Sequence, residues 1–477
     1  LYGVVETRHI EQHALTSLPP NTLMQRAGLA TARLALAIAP HANRIWIACG
    51  PGNNGGDGLE TALHLHHWGK QVVITWLGVP NCMPPDTAAA FQRVIDAKIP
   101  VANEITGELD LIIDALLGIG TQSREPQGLM ADWINRINAA QTPVLSIDVP
   151  SGLDATTGKA TQLHVKATHT LSLLTLKPGL FTSQGRDAAG EVWLDTLGVD
   201  ASRTNFLAPT AQLLREPVAL LRLHTSHKGS YGDVAIIGGA PGMTGAALLA
   251  ASAALHMGAG RVFVHLLDGG SLTANTHQPE LMFRSISALD FSSMTLVCGC
   301  GGGDAVHAIL PKVLSASAPI VIDADAINSI ANDTHLQKAL TSRSHEHAFT
   351  VLTPHPLEAA RLLGLSTAAV QNNRLAAAQD LSTRFGCTIV LKGSGTVIAS
   401  PGCTSMINPT ANARLATAGT GDVLAGMVGT LLASGMTAFD AACHAVYRHG
   451  LLADEWSNTQ ALTASRLAQT NMAAASK

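Results

Sequence analysis

Charge is what this sequence has least of. Asp, Glu, Lys and Arg together make up 13% of its 477 residues, about half of the roughly 25% usual in soluble proteins. A formal charge of -4 and a pI near 6.6 give no reason to expect nucleic acid or an acidic membrane as a partner. Zinc-site cysteine spacing is missing as well. Cys298 and Cys300 flank a single glycine, while Cys49, Cys82, Cys387, Cys403 and Cys443 are scattered. An odd number of dispersed thiols in a long chain reads as reduced, which points to the cytosol. There is no run of eighteen apolar residues and no charged-then-apolar leader at Leu1, and the missing initial Met suggests that a few residues precede it. The expectation is a soluble, cytoplasmic protein with no membrane partner.

Small residues fill the space that charge leaves. The 44 glycines and many alanines let helices and sheets approach closely. The chain is too long for one ordinary core, so two or three domains are expected. With no basic surface, phosphate must be held by local turns, and two glycine-rich turns stand in different halves. One is Gly50-Pro51-Gly52-Asn53-Asn54-Gly55-Gly56-Asp57-Gly58, and the other is Ala418-Gly419-Thr420-Gly421-Asp422. Glycine lacks the Cβ that would keep an anion from converging backbone N–H groups.

The first half alternates buried strands with helices. Strands are expected at 44–49 (RIWIAC), 72–77, 109–117 and 143–149, with helices at 59–68, 86–97 and 131–140. Continuous apolar strands spaced by helices imply a parallel sheet covered on both faces. A mixed polar stretch near 200–223 breaks the pattern, which restarts at 231–239 (YGDVAIIGG). Strands at 261–266, 295–298, 320–322, 349–352 and 388–392 follow, with helices at 246–257, 305–314, 374–385, 423–433 and 438–455. The fold class is therefore α/β with two unrelated domains, 1–212 and 213–477.

In an open parallel sheet ligands sit over the carboxyl ends of the strands. Three polar clusters of the first half fall there: Asn53, Asn54 and Asp57; Asp114 with the loop from Gly118 to Arg124; and Asp148 with Ser151. Asp114 and Asp148 lie in apolar strands, where an unpaired carboxylate is costly, so a cation, a donor-rich ligand or Arg124 is expected to compensate each. Oxygen-only ligands such as Asn54, Asp114 and Ser151 suit a hard ion. The plainer reading makes the glycine turn a tight corner and the aspartates loop caps.

In the second half, Gly419 to Asp422 precede a helix whose first turn points free N–H groups at an anion. Asp422 is placed to accept a proton from a substrate hydroxyl attacking a terminal phosphate. Lys392 leads into Gly393, Ser394, Gly395 and Thr396, a small-residue loop able to contact a nucleotide. The plainer readings are that Asp422 caps its helix and that His355, between two prolines, is a packed side chain.

The segments GPGNNGGDG, IIDALLGIGTQSREPQG and SIDVPSGLDATTG resemble the signatures of NAD(P)H-hydrate epimerase domains, over roughly residues 5–205. By that resemblance Asn53, Asn54, Gly55, Gly56, Asp57, Gly118, Ile119, Gly120, Thr121, Gln122, Ser123, Arg124 and Asp148 bind the hydrated dinucleotide, and Asn54, Asp114 and Ser151 hold potassium. Asp148 is the candidate acid/base for interconverting R and S hydrates. Gln25 stands where the family often has Glu.

HKGSYGDVAIIGGAPGMTGAALLAA, TPHPLEAARLLG, VLKGSGTVIA and ATAGTGDVLAGM resemble NAD(P)H-hydrate dehydratases, which are ribokinase-like, over about residues 225–460. The first domain is then Rossmann-like and doubly wound, and the second a ribokinase-like α/β/α domain. The resemblance implies that Lys392, Gly393, Ser394, Gly395, Thr396 and Gly421 bind the nucleotide. Ala246, Gly303 and His355 touch the hydrate, with Asp422 as base and hydrate contact. It further implies ADP with magnesium, the substrates NADHX and NADPHX, and a homo-oligomer. One departure is Gly299-Cys300-Gly301-Gly302-Gly303, where relatives often show GPGLG. Two rivals stay open here: a kinase of a small alcohol such as a vitamin, and a first domain that binds dinucleotide without turnover.

Overall fold

The structure is a computed structural model that describes residues 1–79, 82–120, 125–201, 208–218, 224–345 and 348–470. The chain divides into two compact units, Leu1–Ala211 and Gln212–Lys477, one residue before the expected boundary.

The first unit is built on six strands: β1 (Arg44–Cys49), β2 (Gln71–Trp76), β3 (Leu111–Ala115), β4 (Val144–Ile147), β5 (His169–Leu173) and β6 (Glu191–Asp195). Their order is β2-β1-β3-β4-β5-β6, all parallel. Side chains alternate across a strand, and β1 shows what covers each face. Ile45, Ile47 and Cys49 join a core with Leu59 and Leu65 of the helix Asn53–His67, while Trp46 and Ala48 join another with Trp133, Ile134 and Ile137 of the helix Leu129–Ala139. Both faces are therefore covered, as in a doubly wound α/β fold.

The second unit carries β7 (Gln212–Leu213), β8 (Asp233–Gly238), β9 (Arg261–Leu266), β10 (Met282–Phe283), β11 (Thr295–Cys298), β12 (Ile320–Ile322), β13 (Thr350–Leu352), β14 (Thr388–Leu391), β15 (Val397–Ala399) and β16 (Met406–Ile407). They form one sheet in the order β10-β9-β8-β11-β12-β13-β14-β15-β16-β7. The run from β10 to β14 is parallel, and β15 turns antiparallel on β14 and on β16.

The helices Thr244–Met257 and Thr420–Ala433 pack on this sheet at close range. A methyl at Gly426 would stand 2.1 Å from the Ala250 carbonyl, and one at Gly429 2.4 Å from Val297 Cγ2. Two expected helices start elsewhere. The stretch 305–314 is a 3-10 turn, Asp304–Ala308, followed by a short helix, Leu310–Leu314, with Pro311 in its first turn. The helix expected at 423–433 begins at Thr420, so Asp422 lies within its first turn. Among the described residues no helix is long and apolar enough to cross a membrane, and all seven cysteines are free.

Candidate functional site

The first glycine turn is already helix. Only Gly50, Pro51 and Gly52 connect β1 to the helix Asn53–His67. Its glycines are demanded by packing: a Cβ at Gly55 would stand 1.9 Å from the Gly50 carbonyl, and one at Gly56 2.5 Å from Met24 Cε. These two therefore let the helix start sit tightly on the strand end, while Asn53, Asn54 and Asp57 line a cavity of about 440 Å³. Gly118, Ile119, Gly120 and Asp148 line it too. Thr121, Gln122, Ser123 and Arg124 lie outside the described residues. Burial drives the Asp57 carboxyl well above the usual carboxylate range, and the charges of Asp148, Glu11, Glu60 and Asp86 push it further.

Asp114, on β3, is fully buried, and its own chain supplies the compensation. Ser151 Oγ donates to its Oδ1 at 2.6 Å and the Leu116 N–H at 3.2 Å; Ser146 Oγ donates to its Oδ2 at 2.8 Å and the Ser151 N–H at 2.9 Å. Burial still raises its pKa, against these hydrogen bonds. Ser151 Oγ also accepts from the Leu117 N–H at 2.9 Å. Asn54 lies against the following loop: a Cβ at Gly118 would lie 3.2 Å from its side-chain atoms. The Asn54 amide nitrogen is buried with no hydrogen-bond partner.

Asp148 corrects the sequence reading twice. Its strand stops at Ile147, and Asp148 itself takes a left-handed backbone, φ +68, which Asp tolerates better than most residues. Its compensation comes from Lys177, whose ammonium group donates to Asp148 Oδ1. Lys177 is fully buried, also donating to Leu173 O at 2.6 Å and Ser172 Oγ at 3.2 Å. The sequence reading passed over Lys177, Glu11 and Asp86, all of which line the cavity. Lys177 carried a usable signal, a lone cation inside the apolar run LLTLKPGL, because lysine is seldom fully buried unless paired.

In the second unit Asp422 is not a cap. The N-cap of the helix Thr420–Ala433 is Gly419, at φ +89, with no side-chain cap hydrogen bond, and Asp422 is the third residue of the first turn. Burial pushes its carboxyl up to about 7; Asp323 and Asp325 add to the rise, while Cys300 and Lys392 oppose it. The nearby cation is committed elsewhere. Lys392 Nζ donates to Asp323 Oδ1 at 2.7 Å, and Thr353 Oγ1 reaches the same oxygen at 2.6 Å. A Cβ on Gly421 would lie 3.3 Å from Lys392 Nζ, so Gly421, Lys392, Asp323 and Asp422 form one cluster. Asp323 was missed although it directly follows an apolar strand, the same signal that drew attention to Asp148.

The loop after Lys392 is fastened from below. Arg374 Nη2 donates to Leu391 O at 3.0 Å and to Lys392 O at 3.1 Å. Gly393, at φ +135, leaves room for that guanidinium, since a Cβ would stand 2.9 Å from Nη1. Gly393 and Ser394 are exposed, and Thr396 Oγ1 donates to Gly393 O at 3.1 Å.

His355 is the N-cap of the helix Pro356–Leu363. Its Nδ1 accepts from the N–H groups of Leu357 and Glu358 at 3.1 and 3.2 Å, and its own N–H donates to Glu358 Oε2 at 2.7 Å. Burial, then Lys392, lowers its pKa, so the ring is neutral and Nδ1 is an acceptor. Ala246 sits in the first turn of the helix Thr244–Met257, 2.8 Å from where a Cβ on Gly301 would be. The Gly303 N–H donates to Asp325 Oδ2 at 2.9 Å.

A family model described as NAD(P)H-hydrate dehydratase matches residues 234–473, and one described as YjeF-related protein N-terminus matches residues 20–179. The bifunctional NAD(P)H-hydrate repair enzyme of Escherichia coli (strain K12) is 35% identical over 446 residues, 91% of this chain and 84% of the relative. That of Coxiella burnetii is 35% identical over 470 residues, 95% of this chain and 94% of the relative. Among solved structures, an ADP/ATP-dependent NAD(P)H-hydrate dehydratase from Bacillus subtilis, co-crystallized with ATP/Mg2+, is 30% identical. It covers 52% of this chain and 90% of its own, with a TM-score of 0.44.

Proposed function

The chain belongs to the bifunctional NAD(P)H-hydrate repair enzymes, which join an epimerase to a dehydratase, and we propose the following division of that work among its residues. Residues 1–212 act as the epimerase domain and 213–477 as the ADP-dependent dehydratase domain.

In the first, the hydrated dinucleotide occupies the cavity against Asn53, Asn54, Asp57, Gly118 and Asp148. Gly55 and Gly56 contribute through the helix start that they allow, and by the family resemblance Ile119, Gly120, Thr121, Gln122, Ser123 and Arg124 also bind the ligand. Inverting the hydroxyl-bearing ring carbon requires a bond to it to break and re-form. The hydroxyl gives up its proton as the ring C–N bond opens to a carbonyl, and the electron pair of that bond goes to nitrogen, which takes up a proton. Both steps reverse when the nitrogen closes on the other face. The Asp148 carboxylate and the Lys177 ammonium group hold acceptor and donor side by side, which suits both directions of that exchange. Potassium fits beside them. By the family resemblance Asn54, Asp114 and Ser151 hold it; with the Asn54 amide turned over, its buried unpartnered nitrogen position would present an oxygen, the same donor type as the Ser151 hydroxyl and the Asp114 carboxylate. Such an oxygen-only set suits a hard cation, whose charge would balance Asp114 and steady the phosphate side of the ligand.

In the second, the nucleotide lies along Lys392, Gly393, Ser394, Gly395 and Thr396, with its phosphates at the helix start around Gly421. The S hydrate contacts Ala246, Gly303, His355 and Asp422. Asp422 accepts the proton of the ring hydroxyl as its oxygen attacks the terminal phosphorus of ADP, and AMP leaves. The phosphate then departs from the ring carbon, a proton leaves the neighbouring carbon, and that C–H electron pair forms the double bond of NAD(P)H. Magnesium, bound with the nucleotide, would supply charge neutralisation. ADP as donor, assembly as a homo-oligomer and a cytoplasmic location are carried by the family resemblance.

The observation that carries this reading is Asp422: a carboxyl in a helix first turn, with no side-chain cap hydrogen bond there and no ion pair among the described residues, that burial pushes up to about 7. The test is a mixed R/S hydrate preparation with ADP and magnesium, followed by restored dinucleotide absorbance. Native protein should recover both epimers, Asp148→Ala only the S fraction, and Asp422→Asn neither. Recovery of both by Asp422→Asn would overturn the assignment.

A further inference from the structure

The cavity of the first unit is poor in cations for a ligand that carries phosphate. The hydrated dinucleotide brings two linked phosphates, and one more in its NADP form. Four of the lining residues are carboxylic acids, Glu11, Asp57, Asp86 and Asp148, and two are cations, Arg8 and Lys177. Lys177 is already spent. It is fully buried, its ammonium group donates to Asp148, and the same group reaches Leu173 O at 2.6 Å and Ser172 Oγ at 3.2 Å.

Arg8 is placed otherwise. The helix Val4–Leu15 lines the cavity with Thr7, Arg8, Glu11 and Leu15, the spacing of one helical face. Thr7 fastens that face, its hydroxyl sharing a buried hydrogen bond with Thr175 Oγ1 at 2.8 Å. Arg8 itself is exposed and makes no ion pair among the described residues. Its hydrogen bond there is a long one, from Nη2 to Gly120 O at 3.4 Å. A Cβ at Gly120 would stand 3.7 Å from the same nitrogen, as one at Gly118 would stand 3.2 Å from Asn54. The backbone from Gly118 to Gly120 thus runs from a helix start, with its free N–H groups, to a guanidinium with donors to spare.

We propose that Arg8 is a further binding residue for the epimerase substrate: its guanidinium meets phosphate oxygens of the hydrated dinucleotide at the mouth of the cavity, beside Gly120. The inference rests on this cavity being the epimerase site. The Gly120 carbonyl takes one of five N–H donors, and the rest of the fork matches a pair of phosphate oxygens. Glu11, one turn along the same helix, does not claim the guanidinium; burial, then Asp148, raises its pKa. With Lys177 held by Asp148, Arg8 is the cation of this lining left to answer the charge of the ligand.

The experiment follows R/S interconversion chromatographically without ADP, so that the dehydratase is idle, in native protein, Arg8→Ala, Arg8→Lys, Arg8→Glu and Asp148→Ala. In Arg8→Ala the KM for NADPHX should rise about five- to twentyfold, with kcat within about twofold of native. Arg8→Lys keeps the charge and should recover most of that KM, whereas Arg8→Glu repels phosphate and should exceed Arg8→Ala. Choline chloride added at fixed potassium should narrow the gap between native and Arg8→Ala, because salt screens exposed charges. An equal rise for NADHX assigns the guanidinium to the two phosphates that both hydrates share; a rise confined to NADPHX assigns it to the phosphate that NADHX lacks. An unmoved KM for both hydrates, a loss carried by kcat, a gap that salt leaves unchanged, or an Arg8→Lys as impaired as Arg8→Glu would overturn the proposal. Native-like interconversion by Asp148→Ala would instead sink the reading of the cavity, and the inference with it. An inactive Asp148→Ala with an unmoved KM in Arg8→Ala would sink the inference alone.

Discussion

Asp148 and Asp422 announce themselves in a similar way, each a carboxylate where a turn meets an apolar run, yet the two sites compensate them oppositely. Asp148 carries its counter-ion directly, in the fully buried Lys177. Asp422 has a lysine nearby, but that lysine is bound to a second carboxylate, Asp323. A carboxylate bound to an ammonium group offers an acceptor and a donor together, the requirement of a reaction that runs equally both ways. A carboxylate denied its cation holds a proton near neutrality, the requirement of a base that must take one from an alcohol. On the proposed roles, where the neighbouring cation is placed, more than where the carboxylate is, separates the two chemistries.

The sharpest way to break this contrast is to remove one base and read both reactions. Asp422→Asn should cut S-hydrate dehydration by about 10² to 10⁴-fold while R/S interconversion, followed chromatographically, stays within about twofold. A comparable loss in both would deny that the units act separately.

Next in size is the buried pair. Lys177→Met strands the Asp148 charge and should cost the first unit about 3–5 kcal/mol, measured by denaturant unfolding, as well as abolishing interconversion. Adding Asp148→Asn should return most of the stability but none of the activity. No stability loss in the single variant would mean that the pair is not the compensation it looks like.

The contrast also has a pH signature. As the proposed base Asp422 works ionised, and burial pushes its carboxyl up to about 7, so dehydration should fall as pH drops through 7, to about a tenth of its plateau near pH 6. Interconversion should not share that acid limb.

The smallest effect concerns His355. His355→Ala should lose about 1 kcal/mol through the missing cap, whereas His355→Asn, a good N-cap, should keep the stability. A raised KM for the hydrate in both variants would assign the ring a contact beyond capping; an unchanged KM would leave it as a cap.

Much of this was legible before any coordinates. β1, β3, β4, β8 and β11 are buried on both faces and so read as unbroken apolar runs such as RIWIAC. β6 was not legible, because Glu191–Asp195 is an edge strand with exposed Glu191, Trp193 and Leu194. Nor were β15 and β16, only three and two residues long, whose partners are set by tertiary pairing. The site was read unevenly for a similar reason. Glycine turns and aspartates are local signals, and they located Asn54, Asp114, Asp148 and Asp422. Lys177 acts across the fold, through a partner 29 positions away; nothing next to it in the chain names that partner. The glycines of the first turn were read as ligand-facing, yet Gly55 and Gly56 are small because Gly50 and Met24 press on them.

The close approach at Gly426 and Gly429 bears on how the second unit fails when heated. The helix that carries Asp422 is locked against Ala250 and Val297 with no slack for a methyl group, so it has no intermediate seat to slip into. Inactivation of the dehydratase should accordingly be abrupt, coinciding with melting of the whole unit instead of preceding it as a gradual loss of turnover.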